Sequence, residues 1–125
     1  MSTDPGRPSA ETHRAGELSA AISNAAVRIH RDYLGRGPDK ARTMIAGDLV
    51  VVLMEDTLTK AERSLVSAGR QDDVLRVRHT LQQTMSPELV TAVEQLCGRA
   101  VLAFMSANHI EPDLACEVLV LAPEE

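Results

Sequence analysis

Three groups of side chains have residue types and spacing that could do chemistry. The first is Gly35-Arg36-Gly37-Pro38-Asp39-Lys40, whose glycines and lysine suggest a phosphate-cradling loop. Such a loop needs a strand before it, a Gly-Lys-Ser/Thr ending and a helix after it, so that amides and helix dipole converge on the phosphate. Here a helical apolar stripe precedes, an apolar strand follows, and Lys40 is followed by Ala41. The segment therefore reads as a helix stop leading into an exposed strand. Arg36, Lys40 and Arg42 remain as a basic rim that could meet an anion or an acidic partner.

The second group is Asn108, His109 and Asp113, in a polar connector where His109 could act as base or ligand. Asn108 tolerates left-handed backbone and Pro112-Asp113 is ordinary turn chemistry, so a turn accounts for most of the pattern. The third group is thiols and imidazoles. Cys97 and Cys116 form no CxxC or Cys/His spacing, so no zinc site is expected, and buried free thiols fit a reducing cytoplasm. His30 and His79 adjoin Arg31 and Arg78 and read as solvated helix surface. No G-x-S-x-G elbow occurs. The expectation is a protein that is not an enzyme and uses no cofactor or metal. Its candidate binding surface is Arg36, Lys40, Arg42, Asn108, His109 and Asp113.

Composition narrows the partners. With 125 residues, 44% hydrophobic and 25% charged, the chain suits one globular domain. Tyr33 and Phe104 are the only aromatics, too few for a base-stacking platform, and the net charge of −5 gives no duplex-binding footprint. No nucleic acid is expected. Basic residues gather over 28–42, whereas 100–125 holds acids and no Lys or Arg, an asymmetry that fits a solvated surface or docking between copies. No apolar run reaches a signal peptide's core or a membrane span, so direct membrane insertion is not expected either.

These residues must be positioned by regular elements. Residues 1–14 have nothing to bury and read as a disordered arm, leaving one domain over 15–123. A helix is expected over 16–34, its stripe being Leu18, Ile22, Ala25, Ala26, Ile29 and Tyr33, with Gly35 as the exit. Extended runs at 40–45 and 48–55 make a hairpin. Thr59-Lys60-Ala61-Glu62 is a capping box opening a short helix that Gly69 ends. A helix follows over 71–85, and Ser86-Pro87-Glu88 either kinks it or starts another. Runs at 100–106 and 114–121 make a second β pair, joined by 107–113.

The order α-β-β-α-α-β-β predicts an α+β domain with a mainly antiparallel four-stranded sheet packed with helices. Leu49 to Met54 is apolar without alternation, so both sheet faces need cover. Helices could sandwich the sheet within one chain, or a second copy could cover the face the helices leave; the homodimer is the favoured reading. Met44, Met54, Met85 and Met105 sit at core-compatible positions.

The segments ISNAAVRIHRDYLGRGPDKART, DLVVVLMEDTLTKAERSLV and GRAVLAFMSANHIEPDLACEVLVL together resemble the MpsC-like family. That family, formerly a domain of unknown function, is named for a sodium-translocating, membrane-potential-generating system. The resemblance spans 17–123 and implies a small soluble accessory or regulatory protein, in some bacteria found beside a membrane ion or inorganic-carbon transport system. It brings no established catalytic residues. The family's recurrent polar pattern falls on Gly35, Arg36, Gly37, Lys40, Arg42, Asn108, His109 and Asp113. A homodimeric module binding a small anion or nucleotide is the alternative.

Overall fold

The computed structural model describes residues 10–124. Helix α1 (Ala10–Leu34) starts six residues earlier than its apolar stripe indicates. Residues 10–14 are thus helical rather than part of an arm, and residues 1–9 lie outside the described residues. The stripe buries Ile22, Ala25, Ala26 and Ile29. Gly35 ends the helix at φ 80°, a left-handed turn that costs glycine least, and its amide bonds Arg31 O at 2.9 Å. Gly37 then passes close over α1. A Cβ there would stand 3.0 Å from Val27 Cγ1 and 3.3 Å from Val27 O, so the crossing needs glycine.

Strands β1 (Lys40–Ala46) and β2 (Leu49–Glu55) form an antiparallel hairpin turning at Gly47-Asp48. Helix α2 (Lys60–Ser67) opens on the expected capping box. Thr59 Oγ1 accepts from the Glu62 amide at 3.2 Å and Glu62 Oε1 accepts from the Thr59 amide at 2.8 Å. Thr59→Ala should cost about 1 kcal/mol in urea unfolding, the usual value of a lost side-chain cap.

Helix α3 (Gln71–Cys97) runs unbroken through Pro87. Pro87 cannot donate to Gln83 O, four residues back. The Ser86 hydroxyl donates to that carbonyl instead, at 3.0 Å, so the carbonyl is not left without a partner.

Strand β3 (Val101–His109) extends three residues beyond its expected end and pairs with β4 (Leu114–Leu121) as far as His109↔Leu114. Asn108 and His109 therefore lie on a strand, not in a connector. The turn is confined to 110–113, with a cis Glu111–Pro112 bond. Period-2 alternation continues through these polar residues, whereas their turn-favouring composition alone suggested a loop.

The sheet order is β1-β2-β4-β3, antiparallel throughout, in agreement with the expected α+β class. Helices α1 and α3 cover one face. Val50, Val52, Met54, Ala115, Leu119 and Leu121 are buried there with Met85, Leu89 and Val93 of α3. Alternate residues on all four strands point the other way, onto a face no helix covers. A within-chain sandwich is thus excluded among the described residues. Met54 and Met85 are core, as expected, but Met44 and Met105 lie on the open face and are 70% and 54% exposed.

Candidate functional site

The six candidate residues do not form one surface; the fold divides them among three places. Arg36 and Asp113 belong to a polar latch at one end of the sheet. Arg36 donates to Leu58 O at 2.7 Å and to Asp56 Oδ2 at 3.1 Å. Asp113, brought over by the β3–β4 turn, accepts from the Leu58 amide at 3.0 Å and from Thr57 Oγ1 at 3.1 Å. Arg63 reaches both Asp56 and Asp113. Asp56 sits at φ 58°, strained backbone for a non-glycine residue, and its amide bonds Asp113 O at 3.1 Å.

Beneath this loop lies Arg78 of α3, 1% exposed. Its guanidinium donates to Glu62 Oε2 and Oε1, each at 2.7 Å, and also to the Thr57 hydroxyl and carbonyl. Burial pushes the Glu62 carboxyl up, but the hydrogen bonds from Arg78 and the Thr59 amide outweigh it and hold Glu62 below its ordinary range. Asp56 is likewise held low, chiefly by Arg36. Arg36, Arg63 and Arg78 thus face Asp56, Glu62 and Asp113, and the charges cancel. A balanced, internally bonded cluster fixes loop 56–59 and leaves no cation to spare for an anion.

Asn108 points to the helix side. Its Nδ2 donates to Gln82 Oε1 at 2.8 Å, which also accepts from Ser106 Oγ at 3.1 Å. Beside them, and also buried, lie His30 of α1 and Glu117 of β4. The expectation that His30 is solvated surface is overturned: it is 2% exposed, because it falls on the inner side of α1 four residues after Ala26. His79 is exposed, as expected. Cys97 and Cys116 are free and half-buried rather than fully enclosed, and burial pushes the Cys97 thiol up. Among the described residues no group of three or more His, Cys, Asp or Glu could hold a metal.

Lys40, Arg42 and His109 share the open face. The register stacks this face in rows: Ala46–Leu49–Val120–Ala103, then Met44–Val51–Val118–Met105, then Arg42–Leu53–Cys116–Ala107, then Lys40–Glu55–Leu114–His109. The first two rows are wholly apolar and the last is largely polar. His109 is pinned by an Nδ1–H bond to Pro112 O at 2.8 Å.

Sequence reasoning missed Arg78, Glu62, Asp56 and Gln82 as a polar framework. Of these, Glu62 carried a signal, through its capping box with Thr59; Glu117 carried another, as a charge within an apolar strand.

A four-stranded antiparallel sheet with two long helices on one face and its polar groups gathered at one end defines a two-layer α+β protein. The family described as Na+-translocating membrane potential-generating system (MpsC) matches residues 14–123, and the chain belongs to it. The chain is 32% identical over 117 residues to the uncharacterized protein YbcI of Bacillus subtilis (strain 168), covering 79% of this chain and 93% of that one. No solved structure matches the chain. No helix among the described residues is long and apolar enough to cross a membrane.

Proposed function

We propose that this chain is a non-catalytic accessory protein that works as a homodimer joined through its open sheet faces. The dimer docks on the cytoplasmic side of a membrane ion or inorganic-carbon transport system. The observation that carries this reading is the uncovered apolar face, with Met44, Leu49 and Met105 all exposed. Contiguous apolar patches of this kind mark interaction sites.

A second copy suits the face better than another occupant. The row Met44–Val51–Val118–Met105 reads the same from either edge, and Ala46–Leu49–Val120–Ala103 nearly so. A two-fold axis running along the strands between β2 and β4 sets Met44 over Met105 of the partner subunit, as an isologous interface requires. Four strands about 4.8 Å apart and about seven residues long span roughly 450 Å² of plane. Side-chain relief brings that to the same order as the roughly 800 Å² each partner buries in a stable complex. Lys40, Arg42 and His109 then lie at the rim, where polar residues belong and where a transport protein could be met. The family's name supports the transport association. The small-molecule alternative gains no comparable support, because Arg36 and Asp113 are engaged within the chain.

Light scattering at micromolar concentration should give twice the 13.5 kDa chain mass. The double variant Met44→Lys/Met105→Lys should fall to the single-chain mass with its circular dichroism unchanged. A wild-type mass of 13.5 kDa overturns the dimer. For the transport association, tagged protein should retain an ion transporter from solubilised host membranes, and Lys40→Glu/Arg42→Glu should release it. Retention indifferent to charge reversal, or no transporter retained, counts against that part.

A further inference from the structure

His30 and Glu117 are each 2% exposed and face one another across the layer between α1 and the sheet, Nε2 to Oε1 at 3.7 Å. His30 Nδ1 lies 2.9 Å from Ala26 O. A carbonyl only accepts, so Nδ1 carries a hydrogen and Nε2 of the neutral ring is left with a lone pair. His30 Nε2 and Glu117 Oε2 have no hydrogen-bond partner. Two unpartnered acceptors in one buried cleft are costly, and a hydrogen between them removes the conflict.

We infer that His30 and Glu117 form a buried proton-binding site that holds one proton between α1 and β4. The ligand is a proton because nothing larger fits. The space enclosed by Ile29, His30, Gln82, Met85, Ser86, Leu89, Phe104 and Glu117 has no room for a water molecule. At 3.7 Å the pair is too far apart for a hydrogen bond, so sharing the proton takes a small rotation of the Glu117 side chain.

The proton resides on Glu117 and leaves both groups neutral. Burial favours this, raising the Glu117 carboxyl to about 8 and lowering His30. The surroundings agree. On β2, Val52 is paired with Glu117; on β3, Ser106 is its neighbour; neither titrates. From α3, Gln82 and Ser86 line the same space. Among the described residues, the cation that acts on His30 is Arg78, which opposes a charge there and is itself occupied by Glu62 of α2.

The consequence for stability has a definite sign. A carboxyl raised from 4.5 to about 8 retains a proton that the unfolded chain has released. Its contribution is complete below about pH 4.5 and is lost as pH rises through about 8. His30, lowered from 6.5, acts oppositely: its contribution is present above 6.5 and lost as pH falls through its folded value. Between about pH 6.5 and 8 the Glu117 effect stands alone, and one proton makes the unfolding constant rise about tenfold per pH unit.

The test uses the whole chain labelled with carbon-13 at glutamate carboxyls and nitrogen-15 at histidine. The resonance that disappears in Glu117→Gln, or in Glu117→Leu if the first variant folds poorly, identifies the residue. It should titrate with a midpoint near pH 8, with His30 Nε2 unprotonated at neutral pH. A Glu117 carboxylate already ionised near pH 6.5, or a His30 ring carrying both hydrogens there, overturns the site. In urea, wild type should show the tenfold slope and Glu117→Gln should be flat. Equal slopes overturn the inference.

Discussion

Replacing Arg78 by methionine is expected to lower the unfolding free energy by about 3–5 kcal/mol, the cost of stripping one partner from a buried ion pair. Glu62 would keep its charge in a site only 7% exposed, with the Thr59 amide as its remaining strong donor. The Thr57 carbonyl would lose its guanidinium partner at the same time. Urea denaturation at pH 7 measures the loss. The double variant Arg78→Met/Glu62→Gln should recover much of it, because the orphaned charge is gone. If the two single losses simply add in the double variant, the groups are not coupled as the geometry indicates.

Asp113→Ala is expected to cost about 2–4 kcal/mol, since hydrogen bonds to a charged group are worth about 1.5–3 kcal/mol each and a buried amide would be left open. Asp113 holds the Leu58 amide and the Thr57 hydroxyl, and its own backbone carbonyl holds the Asp56 amide. Loop 56–59 should loosen, seen as faster hydrogen exchange at Leu58, while amides of β2 and β4 stay protected. Asp113→Asn keeps an acceptor for one of the two donors and should cost less. An unchanged melting temperature in Asp113→Ala would return this residue to the ligand or catalytic role considered for it beside His109.

These two variants lie where sequence reasoning was least complete. The Thr59–Glu62 capping box was legible because both partners fall within one helical turn. That Glu62 also serves Arg78, sixteen residues on, was not, because the second bond depends on how α2 settles against α3. Arg36 looked like a free basic rim for the same reason. Its partners, Asp56 and Leu58 O, come from across the β1–β2 hairpin. Lys40 and Arg42 were read as exposed and are so: local pleating puts both on one face of β1, and the helices cover the other.

The order of elements, the helix stop at Gly35, the hairpins and the family resemblance all follow from residues near one another in sequence. Periodicity, capping and turn chemistry act over a few residues and leave their mark on composition. What covers each sheet face, which histidine is buried, and which carboxylate loses its water depend on groups far apart in the chain. His30 and Glu117 meet only because α1 packs onto the sheet, which brings the inner side of the helix to Glu117 of β4. The open face was latent in the doubly apolar strands, but only the tertiary structure decided that both long helices lie on the opposite side. Burial is a property of the assembled layers, and no local pattern carries it.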